Sequence, residues 1–361
     1  MDLLYAFFYE EHTIRSSVSS PSAFAHRNSD WSTDSKSLAH RVHHVLNMYQ
    51  SGMDCIVVGA GVSGLSSGIR LLENGHKVTI VADSLSPDTV SDKAAAWWYP
   101  FLAEPIEKTN RWSSESLTEF IRLMDEEELE FITMRMGREY LEKSTPAPGW
   151  SSDLSHFRIL EENEVLNNYS FGWEMEAPVI EMTHYMPWLQ SRFESLGGEI
   201  EVRKLSDLEE LRCNLIVNCS GLGARELCQD EEVVPVRGQI IYIKQDPGFG
   251  RYDQRPESLI YTIPRRDVTV LGGTAQKGDW KREISEEDEE YILTKCESLW
   301  PELDRDNIVG RAVGLRPSRA EVRLEKEIVN GRTIIHNYGH GGAGVTLSWG
   351  CADEVLRLVN E

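Results

Sequence analysis

The stretch Asp54-Cys-Ile-Val-Val-Gly-Ala-Gly-Val-Ser-Gly64 decides the fold of this 361-residue chain. Its apolar first half predicts a buried parallel strand. Three glycines in the spacing G-x-G-x-x-G follow, and a helical pattern then continues to Asn74. The apolar run 77–83 is the next strand, so the stretch begins a βαβ unit. Glycines at this spacing let a dinucleotide pyrophosphate approach the N-terminus of the helix.

Asp83 is placed where such a unit needs an acidic residue. It lies 19 residues after Gly64, at the end of the second strand. In dinucleotide-binding folds, an acidic residue about 20 residues after the glycines binds a ribose hydroxyl. A glycine triplet alone also occurs as a tight turn in unrelated α/β folds. Strand, helix and terminal acid together favour dinucleotide binding.

A second glycine-rich turn lies near the C-terminus, in Thr333-Ile-Ile-His-Asn-Tyr-Gly-His-Gly-Gly-Ala-Gly-Val-Thr346. An apolar strand ends there in four glycines within six residues, and a helical pattern follows. Such a turn directs unpaired N–H groups at a ligand. Two turns of this kind predict one large dinucleotide held at both ends of a single fold.

The composition excludes several classes of function. The chain has 59 acidic and 37 basic residues and a formal net charge of -22, which argues against binding to nucleic acid or to anionic membranes. No run approaches the roughly 18 apolar residues of a membrane span. The six cysteines are scattered without metal-ligand spacing. We therefore expect no metal site, no disulfide framework and a reducing, intracellular compartment.

Residues 1–52 differ from the rest of the chain. They are rich in Ser and His and lack clear periodicity. A disordered extension and a presequence both fit this composition, so a cytoplasmic and an organellar location stay open. The chain ends in Val359-Asn-Glu361, which is not the common peroxisomal tripeptide.

The sequence in the middle of the chain predicts further helices and strands. Residues Ser113 to Met136 are acidic and favour a helix. Apolar, β-branched runs at 238–243, 259–263 and 268–272 predict an antiparallel sheet, and residues 283–300 predict an acidic helix. The expected fold class is α/β, with a discontinuous dinucleotide-binding domain into which a sheet-rich domain is inserted.

Several ordered motifs carry a resemblance to a known family. They are Val57-Val-Gly-Ala-Gly-Val-Ser-Gly64, Ala94-Ala-Ala-Trp-Trp-Tyr-Pro100, Ile216-Val-Asn-Cys-Ser-Gly221, Val236-Arg-Gly-Gln239, Leu271-Gly-Gly-Thr274, Val313-Gly-Leu-Arg-Pro317 and His336-Asn-Tyr-Gly-His-Gly-Gly342. With these motifs, residues 54–361 resemble the family of flavoproteins formed by D-amino-acid oxidase and D-aspartate oxidase, and in function they resemble D-amino-acid oxidase more closely.

The resemblance implies a Rossmann-like FAD-binding domain and an inserted antiparallel-sheet substrate domain. The FAD-binding domain would comprise residues 53–105, 186–236 and 312–361, and the substrate domain residues 106–185 and 237–311. The implied partners are a D-amino acid and molecular oxygen, with a homodimer left open. The implied reaction moves a hydride from the substrate Cα to flavin N5. The products are a 2-oxo acid, ammonia and hydrogen peroxide.

The resemblance also assigns FAD contacts. It assigns the pyrophosphate to the first glycine turn and the adenosine ribose to Asp83, while other positions match the surroundings of the flavin ring and the adenine half. The implied cofactor-binding residues are Gly59, Gly61, Val62, Ser63, Gly64, Asp83, Ser91, Ala95, Ala96, Trp97, Leu205, Ser220, Gly341, Gly342, Ala343, Gly344, Val345 and Thr346.

Three residues are implied to hold the substrate. A guanidinium binds an α-carboxylate bidentately, and Arg316 matches the carboxylate-binding arginine of the family. Tyr261 matches the tyrosine whose hydroxyl shares that carboxylate. The carbonyl of Gly342 matches the acceptor for the substrate amine. The family mechanism needs no protein base.

Two positions bear on which D-amino acid is preferred. Ala275 occupies the position at which D-aspartate oxidases carry an arginine for the side-chain carboxylate. An acidic substrate would leave that carboxylate unpaired, so we expect neutral or basic substrates. Glu257 aligns with a lid tyrosine of mammalian relatives and would pair with a basic side chain if it faced the pocket; a solvated glutamate is the alternative.

Other functions also fit parts of the pattern. D-aspartate oxidase is one alternative, and a flavin-binding regulatory protein without turnover is another. An amine oxidase of the glycine or sarcosine oxidase type shares the dinucleotide fold, but the Gly314-Leu-Arg-Pro317 motif speaks against it.

Overall fold

One mixed sheet of fourteen strands extends through the described part of the chain. The structure is a computed structural model and describes residues 52–253, 255 and 259–361. The strands are β1 (Asp54–Val58), β2 (Lys77–Ala82), β3 (Ile132–Leu141), β4 (Phe157–Ile159), β5 (Phe171–Ile180), β6 (Glu199–Val202), β7 (Leu215–Asn218), β8 (Val234–Ile243), β9 (Gly250–Asp253), β10 (Ile260–Pro264), β11 (Thr269–Gly272), β12 (Gln276–Lys277), β13 (Ile308–Val329) and β14 (Arg332–His340). The helices are α1 (Val62–Glu73), α2 (Ile106–Glu126), α3 (Met182–Ser195), α4 (Ala224–Leu227), α5 (Glu286–Leu299) and α6 (Gly344–Asn360).

One half of the sheet is parallel. Its strands follow the order β14-β7-β1-β2-β6, and each neighbouring pair is parallel. The central strands are almost continuously apolar because both of their faces are covered. Since β1 and β14 point the same way, the glycine turns that follow them lie at the same edge of the sheet. The predicted βαβ unit is confirmed.

The other half of the sheet is largely antiparallel. Strands β9, β10, β11, β8 and β13 pair antiparallel in that order, as predicted for the runs between 238 and 272. The exception is the parallel pair formed by β9 and β3. Beyond it, β3 pairs antiparallel with β5 over ten residue pairs. The mixed α/β fold class is therefore confirmed.

The helix predicted from Ser113 to Met136 is wrong in its second half. The helix α2 ends at Glu126, and Glu128 then adopts a positive φ of 52°. Residues from Ile132 onward form β3. Acidic residues favour a helix locally, but ten pairs of ladder contacts with β5 outweigh that preference.

Contacts between helices fix the start of α6. The Ser66 hydroxyl of α1 donates to the Ser348 carbonyl of α6 at 3.1 Å. The Gly350 N–H of α6 donates to the Ser116 hydroxyl of α2 at 2.9 Å. A side chain at Gly350 would overlap the Trp112 backbone. The close approach of α2 holds α6 in place above the sheet.

Among the described residues, no helix has the length and apolar character needed to cross a bilayer. The division into a discontinuous FAD-binding domain and an inserted substrate domain stays a prediction. The sequence suggested an N-terminal extension, of which residues 1–51 lie outside the described residues. It also suggested a lid contact for Glu257, which lies outside them as well.

Candidate active site

Both glycine turns contribute to the wall of one cavity of about 570 Å³. The cavity lies at the carboxyl ends of β1 and β14, and its volume is typical of a small-molecule site. Most of the predicted site residues line it. They are Gly59, Gly61, Val62, Ser63, Asp83, Ser91, Ala95, Ala96, Trp97, Ser220, Tyr261, Arg316, Gly341, Gly342, Gly344, Val345 and Thr346.

The first turn requires glycine at its start. Gly59 has a φ of +104°, and a Cβ there would lie 2.5 Å from the Cys219 carbonyl oxygen. The helix α1 begins without a side-chain cap at Gly61. The Ser91 hydroxyl instead accepts from the Val62 N–H at 3.0 Å. Apart from the Val62 N–H, the first N–H groups of α1 have no side-chain cap at Gly61, and they face the cavity, where they favour an anion.

The second turn is built in a similar way. The helix α6 begins at Gly344 without a side-chain cap. The Thr346 hydroxyl, in its first turn, donates to the Tyr99 carbonyl at 3.1 Å and accepts from the Tyr99 N–H at 3.2 Å. Two hydrogen bonds thus join α6 to the segment 94–99, which forms another part of the wall.

Tyr261, Arg316 and Gly342 come together at one end of the cavity. The Arg316 guanidinium donates to the Thr274 carbonyl at 2.9 Å. A Cβ at Gly342 would lie 3.7 Å from Arg316 Cδ, so the two residues are neighbours. Burial raises the pKa of Tyr261, and the nearby Arg316 charge opposes that rise. Tyr261 therefore keeps its hydroxyl proton at neutral pH and can donate it to an anion.

A row of paired residues crosses the sheet beneath this end. Trp173 of β5 is opposite Glu139 of β3, which is beside Tyr252 of β9. Tyr252 is opposite Tyr261 of β10, and Tyr261 is opposite Gly272 of β11. The side chains of paired residues point to the same face. The row therefore aligns Tyr261 with a buried carboxylate two strands away.

Aromatic rings form much of the wall next to Tyr261. Trp97 stacks on Tyr252 with ring centroids 3.7 Å apart and planes within 9°. Both rings pack over Gly137, where a side chain would collide with them. Phe101 also lines this part of the cavity. The wall next to Tyr261 is therefore largely apolar and excludes water from a bound ligand.

His340 belongs to a buried polar network at the second turn. Its Nε2 lies 3.0 Å from Asn337 Oδ1, and the Asn337 amide donates to the Ser67 hydroxyl at 3.1 Å. Burial lowers the pKa of His340 to about 4, so the ring is neutral at physiological pH.

Among the described residues, one group of side chains could hold a metal ion, and none of its members lines the cavity; they are Glu181, His184 and Asp267.

Four predicted site residues do not line the cavity. A Cβ at Gly64 would overlap the Gly59 carbonyl, so Gly64 serves the close packing of α1 on β1. Leu205 is buried in an apolar cluster with Val58, and Ala343 is buried beneath the second turn. Ala275 is exposed, outside the wall.

The structure adds wall residues that the sequence reasoning did not single out. They include Lys93, Tyr99, Phe101, Tyr252, Leu259, Arg282 and Asn337. Tyr99 and Phe101 are inside or next to a motif that was recognised, so adjacency could have found them. Nothing local marks Tyr252 or Arg282, because strand pairing and a distant loop bring them to the cavity.

Comparisons with known proteins identify the family of this chain. A family model described as FAD dependent oxidoreductase, with the short name DAO, matches residues 54–358. A D-amino-acid oxidase of Rubrobacter xylanophilus is 41% identical over 310 residues, covering 84% of this chain and 94% of that protein. A D-amino-acid oxidase of Dictyostelium discoideum is 38% identical, covering 86% and 92%. A human D-aspartate oxidase is 35% identical, covering 84% and 94%.

Solved structures are similar in fold. A glycine oxidase from Geobacillus kaustophilus aligns with a TM-score of 0.71 at 16% identity, covering 86% of this chain and 95% of that one. A glycine oxidase from Bacillus cereus aligns with a TM-score of 0.70 at 17% identity, covering 85% and 95%. At such low identity the likeness concerns the fold alone.

Proposed function

The chain belongs to the DAO family of FAD-dependent oxidoreductases, and on that premise we propose that it is a D-amino-acid oxidase whose active site is the Arg316 end of the cavity. The observation that carries the proposal is the meeting of Tyr261, Arg316 and Gly342 in the same cavity as both glycine turns. A flavoprotein without turnover would not need a carboxylate-binding pair there.

The residues of the cavity fit FAD. Two uncapped helix starts offer N–H groups to negatively charged parts of the cofactor. A Cβ at Gly61 would lie 3.1 Å from the Ser91 hydroxyl, so glycine leaves room for a ligand there. Asp83 directly follows β2 and lines the cavity, where it would accept from a ribose hydroxyl.

We assign the cofactor contacts accordingly. The turn that starts at Gly59 would hold the pyrophosphate with Ser220, and the segment from Ser91 to Trp97 would lie beside the ring. The turn from Gly341 to Thr346 would meet the pyrimidine edge of the flavin. Gly64, Leu205 and Ala343 would act through packing beneath these contacts. In that place FAD would supply the acceptor for the substrate hydride, and its reoxidation by molecular oxygen would give hydrogen peroxide.

The chain's own residues would hold the substrate for this reaction. Arg316 would bind the α-carboxylate bidentately, and the Tyr261 hydroxyl would donate to the same group. The Gly342 carbonyl would accept from the amine. Three fixed contacts orient Cα, and orientation contributes much of the rate of such a step. The apolar wall excludes water and favours the neutral amine.

We propose that the preferred substrates are neutral or basic D-amino acids. Stacked Trp97 and Tyr252 suit an apolar side chain. Ala275 is exposed and outside the cavity wall, so it does not select between substrates. The wall formed by Trp97 and Tyr252 offers no cation to a second carboxylate, which would cost several kcal/mol if buried without a partner. A pairing of Glu257 with basic side chains is tested by Glu257→Gln, which would lower kcat/KM for D-Lys but not for D-Ala. Unchanged turnover of D-Lys would remove Glu257 from the site.

One observation favours D-aspartate oxidase as a second candidate. Arg282 lines the cavity, is exposed, and supplies a guanidinium in addition to Arg316. It could pair with the side-chain carboxylate of D-Asp or D-Glu. The variant Arg282→Gln separates the two candidates, because it would lower kcat/KM for D-Asp and leave kcat/KM for D-Ala unchanged if Arg282 served acidic substrates.

The deciding experiment combines a visible spectrum with a peroxide assay. Purified protein is expected to be yellow, and a panel of D-amino acids should yield peroxide while the L-enantiomers yield none. A colourless protein that FAD cannot reconstitute would defeat the proposal. D-Asp as the best substrate would select the second candidate.

An intracellular location and a homodimer stay predictions, which fractionation and sedimentation would test.

A further inference from the structure

Glu139 is a carboxylate buried behind the cavity wall, with 3% of its surface exposed. Trp173 Nε1 donates to its Oε2 at 2.8 Å, and the Tyr99 hydroxyl donates to the same oxygen at 3.1 Å. The groups that act on its charge are Trp173, Tyr99 and Asp253, and none of them is a cation. A carboxylate in this setting is held in place by hydrogen bonds alone.

Tyr99 connects this carboxylate to the cofactor side of the cavity. Its hydroxyl is bonded to Glu139, while its main-chain N–H and carbonyl are both bonded to the Thr346 hydroxyl. Tyr99 and Thr346 both line the cavity. Thr346 belongs to the first turn of α6, where backbone N–H groups would meet the flavin. A single residue is thus fixed at its side-chain end by β3 and at its main chain by α6.

We propose that Glu139 is a positioning residue, which holds the Tyr99 hydroxyl so that the Tyr99 main chain keeps Thr346 and the start of α6 in place for FAD. This inference rests on the proposed function in one respect, because it takes the cavity to be the FAD site. It goes beyond that function because Glu139 does not line the cavity and touches neither substrate nor cofactor.

The strength of this contact depends on pH. Burial raises the pKa of Glu139 to about 7. Facing it are Tyr99 from the segment 94–99, Trp173 from β5, and Tyr252 and Asp253 from β9. Burial raises the pKa of both tyrosines well above the ordinary value. Burial opposes the ionisation of Asp253, but hydrogen bonds from Arg255 and Tyr169 outweigh it and lower its pKa.

Glu139 is therefore the member of this cluster whose charge changes between pH 6 and pH 8. An ionised carboxylate is a stronger acceptor than a protonated one, so Tyr99 is held more firmly at pH 8. By linkage, FAD then binds more tightly at pH 8 than at pH 6, by about fivefold. The same linkage makes FAD binding release protons near pH 7.

The test measures the Kd of FAD for the apoprotein at pH 6 and pH 8 from the quenching of flavin fluorescence. The variants are Glu139→Gln, Tyr99→Phe and the double variant. The control is Glu176→Gln, which changes a half-buried carboxylate on β5 outside the cavity wall. Circular dichroism and Tm establish that each variant is folded.

We expect Glu139→Gln to bind FAD about fivefold more weakly than the wild type at pH 8 and to lose most of the pH dependence. Tyr99→Phe should have a similar effect, and the double variant should be no weaker than either single one, because all three weaken or remove the same contact. Glu176→Gln should keep the wild-type Kd at both pH values.

A wild-type Kd and pH dependence in folded Glu139→Gln would overturn the inference, and so would full additivity in the double variant. If Glu139→Gln does not fold, the test of the inference is Tyr99→Phe. A wild-type Kd for FAD in that variant also overturns the inference. Each of these outcomes leaves the proposed function intact when the wild type binds FAD and oxidises D-Ala. A wild type that binds no FAD would instead defeat the proposed function.

Discussion

Tyr261 lies directly opposite Gly272 in the ladder between β10 and β11, and a side chain at position 272 would occupy the space of the Tyr261 ring. The tyrosine that we propose to bind the substrate thus depends on a glycine one strand away. The ring is otherwise buried and lines the cavity, so a side chain at position 272 would push it towards the cavity.

Gly272→Ala is therefore expected to act like a change of Tyr261 itself. We expect KM for D-Ala to rise about tenfold, because one hydrogen bond to the carboxylate is lost. Tyr261→Phe should give a similar rise, and the two changes together should not be additive. Steady-state kinetics measure the effect, while the flavin spectrum should stay unchanged. A normal KM in Gly272→Ala would show that the ring is not held in this way.

Arg316 should carry most of the binding of the α-carboxylate. Arg316→Gln leaves that carboxylate without its charged partner, at a cost of roughly 3–5 kcal/mol, so kcat/KM should fall about 10²–10⁴-fold. Arg316→Lys keeps the charge but loses the bidentate geometry, and we expect an intermediate loss. Both variants should retain FAD. Equal kcat/KM in wild type and Arg316→Gln would place substrate binding elsewhere.

Two glycines of the first turn should respond differently to alanine. A Cβ at Gly61 approaches the Ser91 hydroxyl and the cavity, so Gly61→Ala should weaken FAD binding with little change in apoprotein Tm. A Cβ at Gly64 overlaps the Gly59 backbone, so Gly64→Ala should destabilise the apoprotein by about 1–3 kcal/mol. Thermal unfolding and FAD titration of each apoprotein distinguish the two effects. The reverse pattern would contradict these assignments.

His340 should make stability fall in mild acid. Its pKa in the folded protein is lowered to about 4, whereas an unfolded histidine takes up a proton near pH 6.5. Between these values the unfolded state binds more protons, so stability is lost as pH falls through this window, by up to about 3 kcal/mol.

The matching variant is His340→Gln, whose amide can still donate to Asn337. Its free energy of unfolding should change less between pH 7.5 and pH 4.5 than that of the wild type. Urea unfolding at the two pH values measures the difference. Equal changes in both proteins would mean that His340 takes up its proton while the protein is still folded.

Arg237 should be important for stability rather than for chemistry. It is 2% exposed, pairs with Asp288 at 2.5 Å and donates to the Lys281 and Glu283 carbonyls. Arg237→Met leaves Asp288 and these carbonyls without their partner, and we expect a loss of roughly 3–5 kcal/mol. Urea unfolding measures it, with Arg311→Met as an exposed control expected to lose less than 1 kcal/mol. Similar losses in both variants would refute the structural role.

The sequence was sufficient for the features that are local. The βαβ unit, both glycine turns and the antiparallel runs each depend on residues that are close in the chain, so periodicity and turn chemistry predicted them. The family assignment from the ordered motifs is confirmed by the matching family model and by the curated relatives. Most of the predicted cofactor residues also line the cavity, because they belong to the turns themselves.

The features that depend on strand register could not be predicted. Glu139 and Tyr252 are more than 100 residues apart in the chain, yet the pairing of β3 with β9 places them side by side. No local pattern distinguishes Glu139 from the many exposed acids of this chain. The failed helix prediction near Ile132 has the same origin, because pairing with β5 outweighed the local preference.

The strand β13 has a consequence for how substrate reaches the site. It runs as one strand from Ile308 to Val329 and pairs first with β8 and then with β14, with register shifts between Ile308 and Gly310 and between Ser318 and Arg323. Arg316 lies where the two ladders meet, since Ser318 is paired on both sides. A rigid-body hinge between the two sides of the cavity would have to break this ladder. If this ladder stays intact during turnover, entry of substrate and release of product would depend on the shorter segments around the rim of the cavity.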